Sequence, residues 1–474
     1  MNKHELQNRR RAAATAAIEA RIGRCVLNPM GQELMANGFG MDAGAPLLAP
    51  AGTPQPAWQL FSERRRWGLL AILFLVSTSN YVDRNVIAVL LEPIKQEFRV
   101  SDTALGLLGG FCFAAFYAAF GMPVARWADR GNRRTIITLA LTIWSLMTLC
   151  CGLAQSFVQL AVARIGVGAG ESGAIPPAQS LIADYFPPAQ RARAIAIFTA
   201  AAISGYLLGF GVGGYIAATR GWRMAFLAAA VPGLVLAVIT RVFLAEPRSV
   251  LHYQVKSGEL ETTRRSLAQL MHKRSYVYAL LGCLIYFFVA YGALIFVPSY
   301  LIRTLHVPLA RVSLNYGAVS ALASAVGTLG GGWVADRLAQ RDVRWLAWLP
   351  AFSLLLTAPL EIAGLLVGSF QAFLALGFVA SLLLSAGLPP VFAAIHAVCG
   401  NRRRATAIAI VLFSATLFGG GFGPLVTGAV SDFFKQRYGA DGLRYSLIIM
   451  MPLLMASGGC FYAFARAMPK DIED

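Results

Sequence analysis

Twelve apolar runs, each long enough to cross a bilayer as a helix, constrain this chain more than any other feature. They fall near 67–91, 104–125, 135–154, 157–182, 194–218, 223–244, 276–301, 312–335, 345–368, 370–397, 405–431 and 443–465. A spanning helix needs about 20 such residues, and only helices or closed barrels satisfy every backbone hydrogen bond inside lipid. A barrel would show segments of about ten residues alternating polar and apolar; the sequence has none. The predicted fold class is therefore an all-α membrane protein with twelve transmembrane helices. Composition agrees: only 14% of residues are charged and the mean hydropathy is +0.60, whereas a soluble domain carries roughly 25% charged residues.

A net charge of +18 raises nucleic acid as a partner, but its placement argues otherwise. With the N-terminus set in the cytoplasm, thirty of the 41 Lys and Arg fall in tails and loops on that side. Nine fall on the far side, and two, Arg84 and Arg164, lie inside helices. This positive-inside bias predicts a multi-pass protein of the inner (plasma) membrane with both termini cytoplasmic and its basic loops against the anionic leaflet. No nucleic acid is expected. The seven cysteines (25, 112, 150, 151, 283, 399 and 460) lie mostly in apolar runs and show no metal-ligand spacing. They read as small apolar residues, so neither a metal nor a cofactor is expected.

Residues 1–62 begin with Arg9-Arg10-Arg11 and an Ala-rich stretch, then turn rich in Gly, Pro and Ala. They lack the hydrophobic core of a secretory signal. A partly disordered cytoplasmic tail is expected there.

The chain repeats itself. After the second helix it reads Ala128-Asp129-Arg130 and ends in Arg133-Arg134; after the eighth it reads Ala335-Asp336-Arg337 and ends in Arg341. Pro176-Pro177 in helix 4 matches Pro389-Pro390 in helix 10. Arg191-Ala192-Arg193-Ala194-Ile195-Ala196-Ile197 matches Arg404-Ala405-Thr406-Ala407-Ile408-Ala409-Ile410, and Gly209-Phe210-Gly211 matches Gly421-Phe422-Gly423. Four matches in the same order at nearly one offset mark two parallel six-helix repeats. The expected organisation is a tail (1–62), a first bundle (63–244), a cytoplasmic linker (245–275), a second bundle (276–466) and a short cytoplasmic tail (467–474).

This layout resembles the major facilitator superfamily over roughly residues 64–468. The loop after helix 2 is similar to the family's G-x-L-A-D-R-x-G-R-R motif, departing at Ala125, Trp127 and Asn132 while keeping Asp129, Arg130, Arg133 and Arg134. Together with Asp336 and Arg337, these residues are the expected cytoplasmic gate. There the Asp can cap a helix or pair with an Arg across the interface, in contacts that break when the gate opens.

Four charges lie inside the first six helices: Asp83 and Arg84 in helix 1, Arg164 and Glu171 in helix 4. Each costs roughly 2.5–3.5 kcal/mol near a helix centre, on the order of 10 kcal/mol for an isolated set. Two acids and two bases point to mutual compensation. Asp83 and Arg84 are adjacent and point about 100° apart, so neither is the other's main partner. Helix 1 runs outward and helix 4 inward, with Asp83 and Arg164 at matching depth, so an Asp83–Arg164 contact is expected. Glu171 lies about 10 Å deeper, close to the midplane. The second repeat has Phe288, Val289, Gly377 and Leu384 at the matching positions. A purely architectural role would be expected in both copies, so these charges are read as functional.

The string Arg164-Ile165-Gly166-Val167-Gly168-Ala169-Gly170-Glu171-Ser172-Gly173 is similar to the superfamily's R-x-x-x-G-x-G motif. With Tyr81-Val82-Asp83-Arg84 and Tyr185-Phe186-Pro187, it resembles the spinster branch, in a form short enough for a bacterial member. The resemblance implies a transporter of lysophospholipids or sphingolipids in which Asp83, Arg164 and Glu171 take part. Arg84 and Arg164 would attract an anionic headgroup, and Glu171 is the candidate proton site. In the expected cycle Glu171 takes a proton, the Asp83–Arg164 contact loosens and substrate occupies the freed Arg. Asn80 and Tyr81 from helix 1, with Tyr286, Phe288 and Tyr291 from helix 7, are the candidate cavity wall. Helix 5 carries Gly205-x-x-x-Gly209-Phe210-x-x-Gly213-Gly214, similar to an antiporter motif but with Phe210 in place of its Pro. Glu361 in helix 9 reads as an outer-leaflet snorkelling residue or a secondary site.

The predicted function is a monomeric secondary transporter, proton-coupled, for an amphiphilic anionic lipid. Transport of small organic anions or drug efflux remain open on the same fold, as does a receptor or scaffold without transport. No nucleophile–base pair or phosphate loop appears, so no enzyme is expected.

Overall fold

Residues 56–248 and 263–472 are described by the computed structural model. Most of the expected tail, the linker segment 249–262 and the last two residues lie outside the described residues. Helix follows helix from end to end: α1 (Glu63–Phe98), α2 (Asp102–Arg130), α3 (Arg133–Leu153), α4 (157–185), α5 (Pro188–Arg220), α6 (Trp222–Phe243), α7 (Arg274–Arg303), α8 (Leu309–Ala339), α9 (Trp345–Leu366), α10 (Phe370–Gly400), α11 (401–438) and α12 (442–471). A short linker helix, Thr263–His272, precedes α7. Among the described residues nine helical stretches meet a spanning criterion of length and hydropathy. The last of these, Thr406–Asp471, is a hairpin that turns at Gly439–Asp441. The more highly charged α1 and the interrupted α4 lie outside that criterion, so the architecture is consistent with twelve crossings.

Local chemistry explains where helices break. Proline has no N–H to continue the ladder. Accordingly α4 ends its first segment at Glu171, turns through residues 172–174 and resumes as Ile175–Tyr185 with Pro176 and Pro177 in its first turn. Its counterpart α10 breaks at Gly387 before Pro389-Pro390. Gly400 takes φ 63°, a left-handed conformation open to a residue without Cβ, and there α10 gives way to α11.

Four helices widen into π-helical turns: Leu107–Phe111 in α2, Leu208–Gly213 in α5, Val312–Tyr316 in α8 and Ala415–Phe422 in α11. Such turns re-aim the side chains that follow and gather at functional places. These four form the seam between the first six helices and the last six, where α2 meets α11 and α5 meets α8. At the seam Phe111 meets Phe422 edge-on at 5.2 Å, and Phe210 lies 6.1 Å from Tyr316.

Candidate functional site

A cluster of hydrogen bonds and ion pairs joins the first six helices to the last six at the end where α1 finishes. Arg303 of α7 donates to both oxygens of Asp102 (2.8 and 3.0 Å) and to Glu92 (2.8 Å). Lys95 pairs with Asp102 as well, and the Ser431 hydroxyl donates to it at 2.7 Å. Asp432 of α11 accepts the N–H groups of Asp102 and Thr103 at the start of α2 (2.9 and 2.7 Å), where unpaired helical donors favour a carboxylate. Three acids, two bases and a capped helix start thus clamp that end shut.

The opposite end carries the residues of the expected gate. Asp129, Arg130, Asp336 and Arg337 are exposed. Arg133 turns inward instead, to Asp184 (2.6 Å) and Ser180 (2.8 Å) of α4 and to Glu246 (2.6 Å) just past α6. Arg134 is half-buried beside it. Arg248 donates to the Ala128 and Asp129 carbonyls and so caps α2, while Asn132, rather than an Asp, caps α3 through the Thr135 N–H at 3.0 Å. Arg337 lies over the Trp333 ring at 3.9 Å. The loop residues therefore fix local helix ends here rather than bridging the halves.

Midway between the two ends lie the intramembrane charges. Arg84 Nε donates to Glu171 Oε2 at 2.7 Å. Arg164 reaches α1 as expected, but through the Asp83 main-chain carbonyl at 3.3 Å. The Asp83 carboxylate is buried and faces the Trp144 and Thr148 side chains of α3. The reason is the 100° between successive helical residues: Arg84 is turned to Glu171 and the cavity, leaving the Asp83 side chain against α3. Matching depth made the contact predictable; side-chain direction made the pairing different.

Both arginines line a cavity of about 240 Å³ with Tyr81, Asn85, Phe113 and Tyr291, closed on the far side by Thr416 and Gly420 of α11. A second cavity, about 290 Å³, adjoins it across Ala202, Tyr206 and Leu294 and continues among Tyr316, Ser320, Glu361, Phe373 and Ser381. Glu361 therefore faces this inner lobe beside Tyr316 and Ser320; it does not snorkel to the outer leaflet. Of the other wall candidates, Asn80 is fully buried with its side chain toward Glu171, off the cavity wall. Tyr286 turns away, its hydroxyl donating to the Leu384 carbonyl at 3.3 Å. Phe288 packs its main chain against α11 at Gly423. The cavity face of α7 carries Ala290, Tyr291 and Leu294; Phe288 lies off it by helical spacing, while Tyr286, one turn before Ala290, is drawn away by its bond to Leu384. The sequence reading missed Phe113 and Tyr117, whose rings lie 5.0 and 4.5 Å from the Arg84 guanidinium. Their only signal was their position in a run that reads as uniformly apolar.

Residues 73–360 match the model of the Major Facilitator Superfamily. The chain belongs to that superfamily. As a major facilitator protein it is a multi-pass membrane transporter. It is 35% identical over 410 residues to an MFS-type efflux pump of Mycolicibacterium smegmatis, covering 85% of this chain and 93% of the relative. Protein spinster homolog 1 of Xenopus laevis is 28% identical, covering 86% of this chain and 82% of that one. Among solved structures, a bacterial homologue of the human lysosomal transporter Spinster, inward-facing and unoccupied, superposes with a TM-score of 0.80. Identity is 31%, covering 87% of this chain and all of the other. The facilitator's likeness to the spinster branch thus holds along nearly the whole helical region.

Proposed function

We propose that this facilitator is a proton-coupled transporter of amphiphilic anions, with single-chain anionic lipids such as lysophospholipids as its substrate class. One observation carries the reading: both arginines line one cavity and Arg84 bonds the buried Glu171 behind it at 2.7 Å, while an adjoining lobe continues among aromatic and apolar walls. A headgroup fits at Arg84 and Arg164, and the chain extends past Tyr206 and Leu294. Glu171 holds Arg84 until it takes a proton; the substrate's anionic group then replaces the carboxylate, so proton and substrate share one cation. Asp83, whose carboxylate lies one residue before Arg84, is the second acid of the cycle.

The clamp at Asp102, Arg303 and Asp432 stands, by the positive-inside charge placement, on the side away from the cytoplasm. The conformation is then inward-open, with both termini cytoplasmic, the chain acting as a monomer and its two six-helix repeats as the rocking units. The gate residues Asp129, Arg130, Arg133, Arg134, Asp336 and Arg337 close the cytoplasmic end only when the units rock the other way. The mycobacterial relative's name as an efflux pump favours a second reading, export of drug-like amphiphiles, which uses the same cavity chemistry.

Competition binding tests the substrate class. Lysophosphatidylglycerol bound to the protein in nanodiscs is to be challenged with a single-chain neutral detergent and with glucuronate. Displacement by the detergent alone supports an amphiphile site; displacement by glucuronate alone returns the small-anion reading.

A further inference from the structure

Phe113 stands where three features of this chain meet. The centroid of its ring is 5.0 Å from the Arg84 guanidinium carbon and 5.4 Å from that of Arg164. Its main-chain carbonyl occupies the place a Cβ on Gly168 would take, 2.4 Å away. Gly168 follows Arg164 by four residues, so the motif glycine is what lets α2 bring this ring beneath the motif arginine. Two residues earlier, Phe111 ends the π-helical turn of α2 and touches Phe422 of α11. Phe113 also stacks on Tyr117, at 5.6 Å and an interplanar angle of 22°, and Tyr117 lies 4.5 Å from Arg84.

The two guanidinium groups repel each other. Arg84 pairs with the Glu171 carboxylate, while Arg164 hydrogen-bonds the Asp83 carbonyl and has the Asp83 carboxylate nearby. If Glu171 becomes neutral, Arg84 loses its anionic partner and Arg164 keeps only Asp83, yet both must stay at the cavity wall to receive the substrate's anion. The face of an aromatic ring attracts a cation without carrying charge or titrating.

We propose that Phe113 is a positioning residue: its ring, backed by Tyr117, holds Arg84 and Arg164 toward the cavity while Glu171 is protonated and before the substrate's anionic group arrives. The proposal rests on the reading of Arg84 and Arg164 as the headgroup site. The charged and titratable side chains facing Arg84, Arg164 and Glu171 are Tyr81 and Asp83 on α1, Cys112 and Tyr117 on α2, Cys151 on α3 and Tyr291 on α7. With Glu171 ionised, its salt bridge orients Arg84 and the ring is redundant. With Glu171 neutral, the ring is what remains. Loss of the ring therefore has a pH-dependent effect that mere loss of packing lacks.

The probe is lysophosphatidylglycerol, whose phosphodiester keeps a single negative charge at mildly acidic and mildly alkaline pH. Binding is measured with the full chain in nanodiscs at both. Phe113→Leu keeps bulk and removes the π face; it is expected to weaken binding about tenfold at acidic pH, the scale of one partly desolvated cation–π contact, and less than about threefold at alkaline pH. Phe113→Tyr restores the face and is expected to bind within about twofold of the unmodified chain at both. In Glu171→Gln the Phe113→Leu loss becomes the same at both pH values. Should Phe113→Leu fail to fold, Tyr117→Leu removes the backing ring and is expected to show the same acid-side loss at about threefold. Equal losses at both pH values, or a Tyr variant as weak as the Leu variant, overturn the role of Phe113 alone. An unmodified chain that does not bind the probe at either pH overturns the headgroup reading, and this proposal with it.

Discussion

Arg84 and Glu171, 87 residues apart, meet at 2.7 Å inside the helix bundle. The carboxylate stands at the point where two prolines interrupt α4, so a sequence feature that breaks a helix also sets its acid opposite the arginine of α1. Around that contact Tyr81, Phe113 and Tyr117 all present rings to the guanidinium, at 5.8, 5.0 and 4.5 Å.

That surrounding predicts that charge alone is insufficient at position 84. Lysine has the charge but neither the planar fork nor the stacking surface. Arg84→Lys is expected to lower the initial rate of lysolipid uptake by about tenfold or more, and Arg84→Ala to abolish it. Uptake into proteoliposomes reads both; a Lys variant at full rate contradicts the stacking account.

The closed end should open when its hub is removed. Arg303 serves Asp102 and Glu92 together, and taking one partner from a buried pair costs about 3–5 kcal/mol. In Arg303→Ala the population should move toward the conformation open at that end. Spin labels at positions 220 and 437, on turns at that end, are expected to report longer distances in the variant. An unchanged distance distribution would place the clamp's energy elsewhere.

Glycines in similar strings should respond differently. A methyl at Gly168 meets the Phe113 carbonyl at 2.4 Å, whereas one at Gly332 meets nothing within 4 Å. Gly168→Ala is expected to destabilise by about 1–3 kcal/mol, lowering the melting temperature in detergent. Gly332→Ala should leave it level or slightly raised.

Acid stability should run through Glu246, just past α6 and outside the membrane span. Burial alone would push its carboxyl up, but hydrogen bonds from Arg133, the Arg133 charge and the Arg248 N–H outweigh burial and hold it below the usual carboxylate range. A folded value below the unfolded one, about 4.3, means the pairing stabilises fully above that pH and fades as pH falls through the folded value. Glu246→Gln should therefore melt lower than the unmodified chain near neutrality, with the gap closing below about pH 4. A gap that stays constant across this range contradicts the pairing.

Much of this was legible in the sequence, for identifiable reasons. Run length and hydropathy dictate spanning helices because lipid leaves the backbone no alternative, and the repeat is carried by motifs at nearly constant offset. The four intramembrane charges stand out because each is costly. Their partners were less legible. Asp83 and Arg84 differ by one residue, hence by 100° of helix face, and nothing local states which of them faces α4. Tyr286 and Phe288 were misplaced on the cavity wall for the same reason, since a uniformly apolar helix gives no stripe to read. The Asp102–Arg303–Asp432 clamp was missed because its residues sit at ordinary helix ends, where charges usually meet water. Arg133 was read as a gate residue, and its partner Glu246 lies in a segment that reads as linker.

In the proposed cycle one cation, Arg84, serves both proton and substrate through Glu171. The decisive measurement is lysophosphatidylglycerol uptake into proteoliposomes under an imposed pH gradient, with Glu171→Gln alongside. Uptake is expected to follow the gradient in the unmodified chain. The Gln variant is expected to keep binding and exchange, with accumulation no longer responding to the gradient. Gradient-driven accumulation that persists in Glu171→Gln would rule out this shared use of Arg84.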